Sequence, residues 1–530
     1  MIYSETRSFP PWYFFVPGVA IGTGILLPLI YLLVRAFEAE AGELIQIVFR
    51  TRTVYLLGNT LLLVIGVVGT GVLLAAPLAW VTTRTDLKGK RIFTLLGVLP
   101  LAIPGYVMAY ALLGLSGPHG TFANLFGPSF PNLRGYWGAL IALSFYTFPY
   151  LLLNLRTALL GLDPAIEESA YSLGSRSREV FCRAILPQLR PALYAGGLLV
   201  GLHVLGDFGV VSLMRYETFS YALYTQYTAA FDRTYAAWLA LMLLALTGSL
   251  LYLEGRLLRG SRFHRTGSGT SHQASPISLG VWRIPTYVYL GILTLASVVA
   301  PTVTIGFWTL KGVDGSYMQD FLRALSGSLL VSTPAAFLTG ILALPLAYLG
   351  VRYSSSICRI LERGAYIGYA TPPLAFALAL IFFFRGVPAI YQTLWILIYA
   401  YTVHFLAEAI GPVRSALYQA SPRLEETARS LGYRPLKAFF KSTFPLLRGG
   451  LTVSIAFVFL AAMKELPLTF MLSPAGYETL AVNVWSYTTE AMFAEGARYA
   501  LTIVLCSALF VGLLLMKNTK TSYEYAEAQT

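Results

Sequence analysis

The sequence predicts an all-α, polytopic membrane protein of about twelve transmembrane helices, built as two parallel six-helix repeats. Three observations carry this. First, the 530 residues are 56% hydrophobic and only 12% charged, with a mean hydropathy of +0.65. A soluble globular domain is about 25% charged, so one aqueous core cannot bury this much apolar surface. Second, about twelve stretches reach the roughly 20 mostly apolar residues needed to cross bilayer hydrocarbon. Third, a polar octapeptide occurs twice, EESAYSLG at 167–174 and EETARSLG at 425–432, nearly half the chain apart.

The stretches lie near 12–34, 55–83, 92–115, 136–160, 192–214 and 235–258, then near 285–310, 325–351, 364–384, 391–413, 449–472 and 498–516. The first is as long as a full span and exceeds the usual apolar core of a signal peptide, so it reads as a retained helix rather than a cleavable leader. Proline and glycine recur inside the spans, as in LLAAPLAW and LALPLAYL, which membrane helices tolerate. The placement of basic residues sets the orientation. With the N-terminus inside, RTDLKGKR (84–91), the loops around 167–190 and 423–448, the segment 256–283, RYSSSICRILER (352–363) and Lys517 and Lys520 all fall on the cytoplasmic side. About 27 of the 38 Lys and Arg then lie inside and about 10 outside, as the positive-inside rule requires. Both termini and both octapeptides are expected in the cytoplasm. The net charge of +13 is explained by these loops, and nucleic-acid binding is not implied.

The repeat runs well beyond the octapeptide. At the offset of 258 that separates Glu167 from Glu425, Trp137 matches Trp395, Arg156 matches Arg414, Pro164 matches Pro422, Pro187 matches Pro445 and Arg190 matches Arg448. Earlier in each half the offset is 268: Pro77 matches Pro345, Arg84 matches Arg352 and Pro104 matches Pro372. The change reflects a longer outer loop in the first half, GPHGTFANLFGPSFPN, against RGVPAIYQ in the second. Six spans per half restore the same orientation, so the repeats are parallel. The expected organisation is a first repeat over 1–258, a cytoplasmic linker over 259–282 and a second repeat over 283–530. The linker contains GSRFHRTGSGTSHQASP, a flexible Gly/Ser/Thr composition.

Each octapeptide sits in a segment with helix punctuation. In LDPAIEESAYSLG, Asp163 is an N-cap, Pro164 suits the first helical position, Glu167 and Glu168 favour the positive N-terminal end, and Gly174 ends the helix. In ASPRLEETARSLG the same roles fall to Ser421, Pro422, Glu425, Glu426 and Gly432. A second, basic helix is expected after each, SRSREVFCRAILPQLR and YRPLKAFFKSTFPLLR, ending near Pro187 or Pro445. Each half thus offers a short helix–turn–helix suited to docking a partner.

The recurring E-x-x-A-x-x-x-G, Glu167, Ala170 and Gly174 and then Glu425, Ala428 and Gly432, resembles the EAA motif of permease subunits in binding-protein-dependent ABC importers. The resemblance covers essentially the whole chain: six spans per half, with the motif between the fourth and fifth. It implies the type I ABC importer permease fold. It also implies that Glu167, Glu168, Ala170, Gly174, Glu425, Glu426, Ala428 and Gly432 couple the chain to a separate ABC ATPase subunit, a homodimer. A periplasmic or lipid-anchored substrate-binding protein is implied on the other side, in the setting of a bacterial inner membrane. The fusion of two permeases in one chain resembles ferric iron importers, as do LGDFGVVSLM (205–214) and MKELPLTFML (463–472). Thiamine permeases are also fused, and polyamine, sulfate and phosphonate permeases share the motif on separate chains. A twelve-span secondary transporter also has parallel halves, but needs no docking helix in each.

Asp207 and Glu465 align at the offset of 258 inside apolar segments, and Lys464 adjoins Glu465. An intramembrane carboxylate is costly and faces a pathway or a partner. Asp207, Glu465 and Lys464 are therefore candidates for a cation pathway or gate, or for a buried tie between the halves. No catalytic group is expected: GxxxxGK[ST] is absent, so ATP and Mg belong to the partner and the chain binds no cofactor. No metal site is expected either. Cys182, Cys358 and Cys506 form no CxxC pair. The five histidines, His119, His203, His264, His272 and His404, show no ligand spacing, and His203 and His404 read as packing or hydrogen-bonding groups within spans.

Overall fold

The computed structural model describes residues 10–37, 50–229, 233–257, 276–312, 318–353 and 355–509. Among them the secondary structure is helical, with two isolated β-bridges and no strand. The first half contains α1 (Trp12–Ala36), α2 (Thr51–Arg84), α3 (Lys90–Val98), α4 (Gly105–Leu115) and α5 (Gly135–Leu160), then α6 (Pro164–Ser172), α7 (Leu186–Gly206), α8 (Gly209–Leu213) and α9 (Arg233–Leu257). The second contains α10 (Arg283–Thr294), α11 (Ala300–Lys311), α12 (Met318–Arg352), α13 (Ser356–Ala370), α14 (Pro373–Phe384), α15 (Leu394–His404) and α16 (Leu406–Gln419). These are followed by α17 (Arg423–Ser430), α18 (Phe444–Met463) and α19 (Pro467–Leu472). A last helix runs over 493–509.

Among the described residues, eight helices are individually long and apolar enough to cross a membrane, and up to eleven spans result if each of three bent pairs counts as one. The expected twelfth span, 498–516, is helical to 509. Its end, linker residues 259–275, and Lys517 and Lys520 lie outside the described residues.

The spans expected at 92–115 and 364–384 are not straight. The chain turns by 96° between the Lys90–Ala102 helical segment and α4, and by 105° between α13 and α14. Both turns fall at matched prolines. The residue before a proline is driven out of the helical region: Ile103 lies at φ −99°, ψ 107° and Thr371 at φ −69°, ψ 124°. Each proline then starts a new helix, with Pro104 and Pro372 both in the N-cap position.

The chain forms two compact units, one of residues 1–50, 222–244 and 314–483 and one of residues 51–221, 245–313 and 484–530. The division expected at the linker 259–282 is one along the chain, whereas these units are a division in space. The unit built on 314–483 takes α1 and residues 222–244 from the opposite half. Phe14 packs its ring on Tyr348 and Phe439, at centroid distances of 4.3 and 5.0 Å, and Tyr399 donates a hydrogen bond to the Gly24 carbonyl at 2.6 Å. Spans α16 and α18 approach so closely that a Cβ on Gly450 would stand 2.8 Å from the Pro412 carbonyl oxygen, the small-residue contact typical of membrane helices.

The unit built on 51–221 takes α10, α11 and the chain from 484 onward from the opposite half. The Trp308 indole N–H donates to the Gly114 carbonyl at 3.1 Å, and the Tyr289 hydroxyl to that of Leu74. The chain entering α10 is tied to the end of α2. Ile277 N–H donates to the Arg84 carbonyl at 2.8 Å, and Asp86 N–H to that of Ile277 at 3.0 Å. The Asp86 carboxylate accepts from Leu279 N–H at 2.9 Å and from Arg283 at 3.0 Å. These donors, the Leu279 amide first, hold it below its ordinary value of 3.8.

Candidate functional site

The two octapeptides form matched short helices. Helix α6 begins as its punctuation predicts: the Asp163 carboxylate accepts from Ala165 N–H at 3.1 Å, with Pro164 in the first turn. Helix α17 begins one residue later than expected, at Arg423, with Pro422 in the N-cap position. The Ser421 hydroxyl still accepts from Arg423 N–H, at 3.4 Å.

Both helices end in a Schellman motif. Gly174 N–H donates to the Tyr171 carbonyl at 2.9 Å and Ser175 N–H to that of Ala170 at 3.1 Å. In α17, Gly432 N–H donates to Arg429 and Tyr433 N–H to Ala428, at 2.9 and 3.2 Å. The turn requires positive φ at the glycines, and Gly174 and Gly432 lie at +82° and +84°, where glycine alone has no steric cost. The residue before each glycine is an outward-facing leucine, Leu173 at 86% and Leu431 at 74% exposed. Ile166 and Leu424, again matched, add exposed apolar surface. Glu168 and Glu426 are also exposed, while Ala170 and Ala428 are half-buried.

The neighbouring glutamates point the other way. Glu167 pairs with Arg84, the last residue of α2, and their side chains are 13% and 8% exposed. Glu425 is 1% exposed and accepts hydrogen bonds from the Tyr348 and Thr443 hydroxyls, both at 2.7 Å. Arg429, one turn on, stands 4.0 Å from it. Arg352, the counterpart of Arg84, instead donates to the Ala420 carbonyl at 2.7 Å.

The basic segments after the two motifs differ from expectation. They do not end at Pro187 and Pro445 but run on as one helix into the following span, Ser177–Gly206 and Pro435–Met463. A π-helical turn precedes each proline, Phe181–Ile185 and Phe439–Thr443, again 258 apart. A π turn widens the helix by one residue per turn and recurs at functional sites. Proline inside a regular helix removes a hydrogen bond and clashes one turn back, whereas here it starts the α-segment after the wide turn. Each π turn packs edge-to-face on the end of the long span: Phe181 on Trp80 at 5.4 Å, Phe439 on Tyr348 at 5.5 Å.

Asp207 and Glu465 both lie at helix breaks. The Asp207 carboxylate accepts from Val210 N–H at 2.9 Å and Val211 N–H at 3.3 Å, capping α8. The Glu465 carboxylate accepts from Leu468 N–H at 3.2 Å, at the start of α19. A break within a span exposes backbone amides that lipid cannot satisfy, and a carboxylate one residue before the N-cap, Asp207 before Phe208 and Glu465 before Leu466, accepts from them. Lys464 stands in the electrostatic field of two acids of its own half, Glu408 and Glu465. Glu408 also accepts a hydrogen bond from Tyr369.

Sequence reasoning overlooked Glu408, although an acid in the apolar stretch 391–413 is itself a signal. It also overlooked Tyr348 and Thr443, whose hydroxyls are unremarkable until folding brings them to Glu425. His203 and His404 place Nδ1 at 2.8 Å from the Leu199 carbonyl and 3.1 Å from the Gly368 carbonyl. Among the described residues no group of three or more His, Cys, Asp or Glu could hold a metal ion.

The chain is 31% identical to the Fe(3+)-transport system permease protein FbpB 2 of Haemophilus influenzae, over 95% of this chain and 98% of that one. It is 25% identical to the ferric transport system permease protein FbpB of Actinobacillus pleuropneumoniae, over 92% of this chain and 75% of that one. The sulfate transport system permease protein CysW of Escherichia coli matches at 26% identity, over 46% of this chain and 87% of its own length. The family described as binding-protein-dependent transport system inner membrane component matches twice, over residues 68–258 and 333–520. With its two matched helices at equivalent places in those two domains, the chain belongs to this family and is a fused double permease of an ABC importer.

Proposed function

We propose that this chain carries ferric iron across a bacterial inner membrane, driven by a separate ATPase docked on α6 and α17. The observation that carries the substrate is the near full-length match to a permease named for Fe(3+), where the sulfate permease CysW aligns with less than half of the chain. The docking reading is supported by the matched exposed surface of each motif helix: Leu173, Ile166 and Glu168 in one, Leu431, Leu424 and Glu426 in the other. Apolar side chains fixed at the tip of a capped helix are the anchors that a groove-binding helix uses. Gly174 and Gly432 set the helix ends, and the half-buried Ala170 and Ala428 let the helices lie close to the permease.

In this reading the ATPase is a homodimer that binds ATP and Mg, and a substrate-binding protein delivers the cation outside. Both termini are cytoplasmic. Asp207, Glu465 and Lys464 act at the helix breaks as gate residues, where non-helical backbone needs a protein or aqueous lining. The test is ATP-dependent uptake of labelled ferric iron by vesicles holding the permease, its ATPase and its binding protein. Labelled sulfate, thiamine and spermidine serve as competitors. Uptake of ferric iron that none of them suppresses supports the reading. ATP-driven uptake of one of them without iron replaces the substrate, and uptake that follows an ion gradient without ATP overturns the coupling.

A further inference from the structure

Each motif helix carries two adjacent glutamates with opposite orientations. Glu168 and Glu426 face solvent. Glu167 and Glu425 face the permease and contact, in each half, the same element: the end of the 34-residue α2 or the 35-residue α12. The contacts differ in chemistry. In the second half two hydroxyl donors, Tyr348 and Thr443, hold Glu425. Their counterparts in the first half are Trp80 and Ile185, neither of which carries a hydroxyl. There Arg84 takes the carboxylate, while its counterpart Arg352 is turned to the Ala420 carbonyl. Both hydroxyl donors are absent together and a guanidinium replaces them together, so the link to the long span is kept although its atoms have changed.

We propose that Glu167 and Glu425 are positioning residues that transmit displacement of each docking helix to α2 and α12, through an ion pair in the first half and through hydroxyl hydrogen bonds in the second. The inference rests on the docking reading above. A contact that is buried and directional moves two elements as one, whereas Glu168 and Glu426 face solvent. The π turns strengthen the link, because Phe181 and Phe439 wedge against Trp80 and Tyr348 on the same helix ends. The chemistry also sets a difference between the halves. A glutamine at 167 leaves Arg84 buried without its counter-charge, which is the costly way to break such a pair. At 425 a glutamine amide oxygen still accepts from rotatable hydroxyls.

The experiment uses the full chain assembled with its ATPase, with Cys182 and Cys506 replaced by serine. Cysteine reporters replace Lys88, just beyond α2, or Ser356, just beyond α12. Alkylation of each reporter is measured with and without ATP, alongside recovery of the ATPase with the permease and thermal stability. We expect ATP to change the rates about fivefold or more in the parent, within the usual range of inter-site coupling. Glu167→Gln abolishes the response at 88 with the ATPase still bound, and the pair Arg84→Glu with Glu167→Arg restores it. Glu425→Gln keeps the response at 356, and Glu425→Ala loses it. Retention of both responses in Glu167→Gln and Glu425→Ala overturns the proposal while leaving docking intact, as does a parent that shows no ATP response. Leu173→Asp with Leu431→Asp tests docking separately: if the ATPase is still recovered, the docking reading fails and this proposal fails with it.

Discussion

The glycines that end the two motif helices give a prediction whose size follows from the structure. Gly174 and Gly432 sit at φ +82° and +84°. A Cβ built on either would meet no atom within 4 Å. Substitution there brings no steric clash with a neighbour, so the entire cost is conformational. A left-handed backbone costs an ordinary L-residue about 1–2 kcal/mol, more for a β-branched one and less for asparagine, which tolerates that region. One or two kcal/mol is a factor of about 5–30 in the population of a correctly ended helix, against a global stability of about 5–15 kcal/mol. Membrane yield should therefore be unchanged. ATPase recovery and ATP-dependent uptake should fall in the order Gly432→Asn, Gly432→Ala, Gly432→Val, with the same order at 174. The assay is co-purification of the ATPase and uptake in vesicles for the six variants. Equal damage by asparagine and valine would mean that the added atoms themselves obstruct the partner, and the conformational argument would be refuted. Normal uptake in both valine variants would remove the helix ends from coupling altogether.

Other expectations can be checked with the same preparations. Asp207→Asn keeps an acceptor for the Val210 and Val211 amides and should leave thermal stability unchanged, whereas Asp207→Ala should cost about 0.5–2 kcal/mol, as loss of a capping side chain does; uptake lost in the asparagine variant assigns the charge itself to the gate. Glu408→Gln removes one of the two acids around Lys464 and should lower the unfolding temperature in detergent. Glu408 and the lysine are each only half-buried and Glu465 remains, so the loss should stay well below the roughly 3–5 kcal/mol of a fully buried pair, and an unchanged transition would show that Glu408 is not a partner of the lysine. The Asp86 carboxyl is held below 3.8 in the folded chain, so its contribution is fully present above that value and is lost as pH falls through the folded one. Amide exchange at Leu279 should accordingly quicken in acid relative to neighbouring amides, and Asp86→Asn should show faster exchange at neutral pH; identical exchange in the variant counts against the tie. Exchanging 164–174 for 422–432 retains a glutamate at the inward position and the exposed leucine, so substantial uptake should survive, and complete loss would show that each docking site reads its helix separately.

The sequence by itself determined the fold class, the repeat and the ends of the two motif helices. These are local or periodic properties. Apolar runs of span length state the membrane solvent directly, the offsets of 258 and 268 are visible by inspection, and Asp163, Pro164, Gly174 and their counterparts act within a turn of where they stand. The breaks at Pro104 and Pro372 were legible as matched prolines but not as sharp turns, because a proline in a membrane helix kinks or breaks it according to what can satisfy the freed backbone.

Tertiary structure alone decided which glutamate of each pair faces inward. Glu167 and Glu168 are adjacent and chemically alike, and their difference is created by Arg84, 83 residues away. Glu425 is distinguished by Tyr348, 77 residues away, and by Thr443. The same holds for Lys464, whose sequence neighbour Glu465 was visible while Glu408 arrived from another helix. It holds too for the exchange of first helices between the compact units. Burial and pairing of a charge depend on what the rest of the chain brings to it, and no local pattern encodes that.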